Sequence, residues 1–177
     1  MRKYLSVIPL VFLLCFVVGC QDKAAMAELE EFKAQAALEE EYKSLVIRHD
    51  EAWLKGDFET LREVLSPDYV WHLGGKTYNL EETFDFLKQQ MAAFSQREFR
   101  TDDLFVKGNK IVARYAFIVT PSGDVDSYPA TGSELEGHGI AIARVENGKF
   151  VELWEEFDNL GFMMQLGYEL KPPEEKK

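Results

Sequence analysis

The chain has 177 residues, of which 46% are hydrophobic and 13% aromatic, a composition typical of one globular core rather than of a disordered chain. Its 20 Lys and Arg residues stand against 31 Asp and Glu residues, which gives a net charge of −11. A chain this acidic repels nucleic acid and anionic lipid headgroups, so we expect no nucleic-acid partner.

The amino terminus has the features of an exported protein. Two basic residues precede an apolar run from Tyr4 to Val18, which is too short for a stop-transfer helix and is typical of a signal peptide over residues 1–19. The run ends at Gly19-Cys20, and a small residue directly before such a Cys resembles a bacterial lipobox. This resemblance implies cleavage before Cys20 and its lipidation; an ordinary signal peptide or an N-terminal anchor helix is the alternative.

Cys20 also sets the expected location. The next residue is Gln21 and not the Asp that favours retention in the inner membrane, so the resemblance implies a lipid anchor on the periplasmic face of the outer membrane. In a Gram-positive cell the anchor would hold the protein on the outer face of its one membrane. Cys15 leaves with the signal peptide, so we expect no disulfide and no thiolate metal site in the mature domain.

Helices are predicted in the first half of the chain. Residues 26–55 contain no Gly or Pro and place apolar residues near helical spacing, which predicts a long helix with a break near residues 39–41. Its highly charged first part predicts a tether and helical stalk over residues 20–41. A second helix is predicted from Phe58 to Leu65, and a third from Leu80 to Phe94.

Strands dominate the remainder. Short strands are predicted at Asp68–Leu73 and, on either side of a hairpin turn, at Arg97–Val106 and Ile111–Thr120. Two further strands, Ser133–Val145 and Phe150–Phe157, flank an Asn-Gly turn. The order of these elements predicts an α+β fold, in which a curved antiparallel sheet is wrapped by helices and leaves a cavity at its wide end.

Three segments complete the chain. Pro121–Gly132 is the longest irregular stretch, and it is either a lid over a pocket or a long connection. Asn159–Leu166 is predicted to form one or two helical turns. Residues 169–177 are predicted to be a flexible tail.

Several motifs carry a resemblance to a known family. The opening motifs, Gly56-Asp-Phe58 and Leu65-Ser-Pro-Asp-Tyr-Val-Trp-His72, resemble the nuclear-transport-factor-2-like superfamily. Later motifs resemble its SnoaL-like polyketide cyclase, or ester cyclase, subgroup: Ala130-Thr-Gly132, Gly139–Val145, Glu146-Asn-Gly-Lys149, Glu152-Leu-Trp154, Asp158-Asn-Leu-Gly161 and Gln165-Leu-Gly167. The resemblance assigns residues 42–168 to a SnoaL-like domain.

The resemblance implies both a fold and an activity. It implies a cone-shaped, cystatin-like α+β barrel, often dimeric, with a pocket for a small apolar molecule and ring-closing aldol chemistry without a cofactor. In this subgroup a carboxylate at the end of the last strand is the acid/base, a position that Asp158 matches, and a His after the first strand matches His72. Many members carry Gly-Thr-His-Thr-Gly in a middle strand, where this chain has Val119-Thr-Pro-Ser-Gly123.

The alternation of side chains along the last strand adds Trp154 as a candidate pocket wall. Trp154 and Asp158 are four residues apart, so in a strand they share one face, and an aromatic beside a carboxylate raises its pKa and makes it a stronger base. The alternative role for Asp158 is the N-cap of the following helix. Trp71 is the second predicted pocket wall. His138 is a further candidate binding residue. A two-residue turn would point its side chain away from the face of Trp154, whereas a bulge would place it on that face.

The three histidines and Asp158 lack close ligand spacing, so we expect no metal. His49 is predicted to be a packed residue of the first helix. Two functions stay open. The chain is either an envelope-anchored SnoaL-like lipoprotein with acid/base chemistry of the cyclase, isomerase or dehydratase type on a carbonyl compound, or a non-catalytic module that binds a small ligand or a protein.

Overall fold

A computed structural model describes the backbone of residues 7–123 and 130–172, and the side chains of residues 23–123 and 130–172 except Gln96. The start of the predicted signal peptide, the Cys20 side chain, the middle of the predicted lid or connection and the end of the predicted tail lie outside this described part. The chain forms two compact units, Met1–Glu41 and Tyr42–Lys177. In the described ranges, no helix has the length and hydropathy needed to cross a membrane.

Helix α1 spans Val7–Lys55 and is continuous through residues 39–41, where the sequence allowed for a break. Within the first unit, charged side chains pair along the helix, as Lys33 and Glu30 do at 2.9 Å. The apolar side chains of Leu29 and Phe32 are exposed. Surface ion pairs of this kind contribute only tenths of a kcal/mol.

The second unit adds three helices, and each begins at a side chain that caps it. Asp57 accepts a hydrogen bond from the Thr60 backbone N–H, and Asn79 forms a reciprocal capping box with Glu82. Both caps satisfy backbone donors that have no partner within the helix. The helices are α2 (Phe58–Val64), α3 (Leu80–Ala93) and α4 (Asn159–Gln165).

Six strands form one curved sheet in the order β2-β1-β6-β5-β4-β3. The α+β fold class is therefore confirmed. The sheet is mixed rather than wholly antiparallel, because β1 runs parallel to β6. The sequence did not predict strand β2. The strands are β1 (Leu65–Leu73), β2 (Lys76–Asn79), β3 (Phe94–Lys107), β4 (Lys110–Pro121), β5 (Leu135–Glu146) and β6 (Lys149–Phe157).

An irregularity in the last hairpin decides which residues face inward. Glu146 pairs with Lys149 as the Asn-Gly turn predicts, but the register shifts by one residue between Arg144 and Val145. Beyond the shift, Ile142 lies opposite Trp154 and not opposite Leu153. Because side chains alternate between faces, this one-residue bulge changes the face of every later residue of β6 relative to β5.

Candidate functional site

A cavity of about 220 Å³ lies on the inner face of the sheet in the second unit. Helices α1, α3 and α4 and every strand except β2 contribute side chains to its wall, which is mostly apolar and aromatic. The polar and ionisable groups that face it are few, and they are His49, Asp50, Tyr69, Gln90, Arg97, Glu98, Thr101, Tyr115 and Glu155. The cavity therefore suits a small, largely apolar molecule held by a few polar contacts.

Glu155 is the central ionisable group of this cavity. Trp71 Nε1–H donates to its Oε2 atom at 2.9 Å, and the Tyr115 hydroxyl donates a short hydrogen bond to its Oε1 atom. Trp71 comes from β1, Tyr115 from β4 and Glu155 from β6, so three strands fix the carboxyl group. A side chain held on rigid strands keeps its geometry when a ligand enters.

Burial governs the ionisation of this group. Loss of water raises the pKa of Glu155 above its ordinary value of 4.5, although the hydrogen bonds from Tyr115 and Trp71 act in the opposite direction. Burial and the charge of Glu155 likewise raise the pKa of Tyr115 and of Tyr69. The two phenols stay protonated and can donate, while the carboxyl becomes a stronger base when it ionises.

The hydroxyl group of Tyr69 is available to bind a molecule in the cavity. It lies on β1, two residues before Trp71, and therefore points to the same face of the sheet. In the described part of the chain its hydroxyl has no hydrogen-bond partner, whereas the Tyr115 hydroxyl is engaged with Glu155. A protonated phenol without a partner is suited to donate to an oxygen of a bound molecule.

A second acid/base group lies on helix α1. His49 Nδ1 is 3.0 Å from Asp50 Oδ1, and the Thr101 hydroxyl donates to Asp50 Oδ2 at 3.3 Å. The imidazole stacks on Trp53, with ring centroids 5.9 Å apart, and meets the edge of Phe150. Because the carboxylate accepts from Nδ1–H, the neutral ring keeps its lone pair on Nε2.

The predicted site residues divide between the two faces of the sheet. Trp71 lies in the cavity wall and contacts Glu155. Trp154 and His72 lie on the outer face, where their rings stack 5.4 Å apart and His72 Nε2 is 3.0 Å from Glu152. This corrects the predicted position of Trp154 as a pocket wall, since alternation in β6 sends Leu153, Glu155 and Phe157 inward.

The other two predicted residues also lie outside the cavity. Asp158 caps α4, where its Oδ1 atom accepts from the Gly161 N–H at 2.8 Å, which is the alternative role that the sequence left open. His138 is exposed beside Glu136 on β5. The bulge turns His138 to the face of Trp154, and that face is the outer one. Within the described ranges, no three His, Cys, Asp or Glu side chains form a metal-binding group.

Sequence reasoning missed Glu155, Tyr69 and the His49–Asp50 pair as site residues. Glu155 directly follows Trp154, so the alternation of side chains along the strand places Glu155 on the opposite face. Tyr69 and Trp71, two large aromatic residues on one face of β1, were a usable signal. They indicate that this face of β1 points to the core, and the strand beside β1 must then also turn one of its faces to the core.

Comparisons with known proteins identify the family. The model of the SnoaL-like polyketide cyclase family matches residues 43–166. The structure of IdmH, a candidate polyketide cyclase from Streptomyces antibioticus, is 28% identical with a TM-score of 0.65, over 71% of this chain and 98% of that one. TsrD from Streptomyces laurentii is 28% identical with a TM-score of 0.65, over 72% of this chain and 95% of that one.

A more distant structure agrees in fold. A SnoaL-like candidate polyketide cyclase from Jannaschia Sp. CCS1 has a TM-score of 0.67 at 17% identity, over 76% of this chain and 95% of that one. Curated proteins yield no match. The family model spans well over half of the chain and confirms the resemblance carried by the motifs, so the chain belongs to the SnoaL-like polyketide cyclase family.

Proposed function

We propose that the chain is a cofactor-free acid/base enzyme that forms an enolate from a small apolar carbonyl compound, with Glu155 as the base. The observation that carries this proposal is the Glu155 carboxyl in an apolar cavity, oriented by Trp71 and Tyr115 and with its pKa raised by burial. Family membership supports a cyclase or isomerase type of reaction. Removal of a proton beside a carbonyl by a carboxylate needs neither a metal nor an organic cofactor.

Each of these groups has a role in the proposed formation of the enolate. The Glu155 carboxylate takes a proton from the carbon beside the carbonyl, the C–H electron pair forms the new C=C bond, and the carbonyl oxygen becomes an enolate oxygen. The Tyr69 O–H donates a hydrogen bond to that oxygen, where negative charge develops. His49, held through Asp50, supplies a second group that exchanges protons with the intermediate.

The fate of the enolate distinguishes a cyclase from an isomerase. Attack of the enolate carbon on a second carbonyl of the same molecule closes a ring, whereas return of the proton to a different carbon isomerises the compound. Both outcomes use the same first step at Glu155. A test of that first step is therefore independent of the natural substrate.

Deuterium exchange at the α-carbon of 2-tetralone, an apolar bicyclic ketone, provides this test. We expect the protein to accelerate exchange in D₂O, followed by NMR, above the rate in buffer. Ala141→Leu narrows the cavity and should bring the rate close to that of buffer, whereas Ile140→Leu on the exposed side of β5 should leave it unchanged. Exchange no faster than in buffer would contradict the proposal.

A non-catalytic binding module is the second candidate function. The observation that favours it is that both Glu155 oxygens already accept hydrogen bonds from the protein. Under this alternative 2-tetralone binds, as shown by shifts of cavity resonances, but its α-protons do not exchange. The same NMR samples therefore separate the two functions.

We also propose that Cys20 carries a lipid that anchors the protein in the cell envelope, on the periplasmic face of the outer membrane in a Gram-negative cell. The lipobox-like Val17-Val18-Gly19-Cys20 supports this proposal. The acidic chain has little attraction for anionic headgroups, so the acyl chains would supply the membrane affinity.

Cys20→Ala is expected to abolish membrane association. In cells fed a radiolabelled fatty acid, the wild-type protein should carry the label and sediment with membranes, while Cys20→Ala should do neither. Cys15→Ala serves as the matched control, since Cys15 lies inside the predicted signal peptide and should not affect labelling. Labelling of the Cys20→Ala variant would show that the lipid is attached elsewhere.

A further inference from the structure

Arg97 is a cation in the wall of the cavity, and it has no acidic partner among the residues that the structure describes. Among the described lining residues it is the only Lys or Arg. Its Nη2 atom donates to the Leu54 backbone carbonyl and, at 3.4 Å, to that of Trp53, at the end of α1. Burial lowers the pKa of Arg97, which indicates that the surroundings do not compensate its charge.

The other described arginines behave differently. Each forms an ion pair with at least one carboxylate, and the pairs are Arg48 with Glu63, Arg62 with Glu81, Arg100 with Asp102, Arg114 with Asp102 and Asp103, and Arg144 with Glu146 and Glu152. In a chain with 31 acidic residues, an arginine without such a partner stands apart. Arg97 is that exception in the described ranges, and it is the arginine that faces the cavity.

The contacts with the end of α1 use only part of the Arg97 guanidinium group. Arginine has five N–H donors, and the two backbone carbonyls engage one nitrogen. In the described structure Nε and Nη1 of Arg97 have no hydrogen-bond partner. Either of these N–H groups can donate a charged hydrogen bond to a carboxylate or a similar anion.

Arg97 and Glu155 lie at different positions along the sheet. Thr101 of β3 is directly opposite Tyr115, the partner of Glu155, and Arg97 is four residues away from Thr101 on the same strand. At a rise of about 3.3 Å per residue, the backbones of Arg97 and Thr101 are about 13 Å apart. Apolar side chains, Phe99 among them, line the wall between them.

We propose that the cavity takes an apolar molecule with a carboxylate at one end, which pairs with Arg97 while the reacting carbonyl lies near Glu155. This inference rests on the proposed function for the location of the carbonyl, but the Arg97 contact is tested separately. The overall charge of −11 repels anions at long range, so any preference for a carboxylate must come from a local cation.

Octanoate and 1-octanol are the probes, because they share an alkyl chain and differ in charge. We expect the full-length protein, measured by isothermal titration calorimetry, to bind octanoate about 10- to 100-fold more tightly than 1-octanol, as a charged hydrogen bond contributes about 1.5–3 kcal/mol. Arg97→Gln should remove the difference and leave the affinity for 1-octanol unchanged. Arg97→Lys, which keeps the charge, should retain part of it.

Arg100→Gln is the matched control, since this exposed arginine on the same strand pairs with Asp102 and should not alter the preference. Circular dichroism establishes that each variant is folded, and Gln keeps an N–H donor for the carbonyls at the end of α1. Equal affinity for the two probes, or a preference that survives in Arg97→Gln, would overturn the inference. If the protein accelerates 2-tetralone exchange but binds octanoate no more tightly than 1-octanol, the inference fails and the proposed function stands. If the protein does not accelerate exchange but Arg97 makes octanoate bind more tightly, the proposed function fails and the Arg97 contact stands.

Discussion

Replacing Glu155 by Gln is expected to lower the rate of α-proton exchange from 2-tetralone by about 10²- to 10⁴-fold, the usual contribution of a positioned general base. Gln fits the same space and the same contacts. Its carbonyl oxygen accepts from Trp71 Nε1–H, and its NH₂ group donates to the Tyr115 hydroxyl oxygen, which can accept as well as donate. The substitution thus removes the base and leaves the geometry.

The pH profile of exchange separates loss of the base from a change in structure. A carboxylate acts as a base only when ionised, so the wild-type rate should rise with pH as Glu155 loses its proton. Because burial raises the pKa of Glu155, this rise should occur above the ordinary value of 4.5. The residual rate of Glu155→Gln should not show the rise, and a variant that keeps it would assign the titration to another group.

Two control variants lie next to the base in sequence. Glu156→Gln changes an exposed carboxylate on the other face of β6 and should leave the rate unchanged. Asp158→Asn should also leave the rate unchanged, because Asn caps a helix about as well as Asp does. A large loss in Asp158→Asn with no loss in Glu155→Gln would restore the role that the sequence assigned to Asp158.

The sequence predicted the four helices and five of the six strands because each of them has a local cause. The caps at Asp57 and Asn79, the Gly turn after β1 and the Asn-Gly turn of the last hairpin all involve residues close in the chain. The parallel pairing of β1 with β6 joins segments about 80 residues apart, and no local signal specifies it. This pairing brings Trp71 within hydrogen-bonding distance of Glu155.

The candidate site was harder to predict because it depends on which face of each strand is inward. Alternation predicts that Trp154 and Asp158 share one face, but the inner face of β6 holds Glu155. Two facts decide this: the one-residue bulge in the hairpin and the side of the sheet that the helices cover. Both result from tertiary packing, so the sequence alone does not indicate which of the two alternating sets of carboxylates in β6 faces the cavity.

Tyr69→Phe is expected to lower the exchange rate by about 10²- to 10³-fold, the usual cost of removing one donor to a developing oxyanion. Phe preserves the ring in a buried position and removes only the hydroxyl. Since that hydroxyl has no partner among the described residues, its removal leaves no protein group unsatisfied, and the free energy of unfolding should change little. A kinetic loss without a stability loss is therefore the expected result.

Tyr115→Phe is the informative comparison, because the Tyr115 hydroxyl donates to Glu155 and not to the cavity. Its removal takes away a hydrogen bond that lowers the pKa of Glu155, so the rise in the pH profile should move to higher pH. Tyr69→Phe should lower the rate without moving the profile in this way, since Tyr69 acts on the oxygen of the bound ketone. If Tyr69→Phe only shifted the profile and kept the maximal rate, the hydroxyl would act on Glu155, and the enolate oxygen would need another donor.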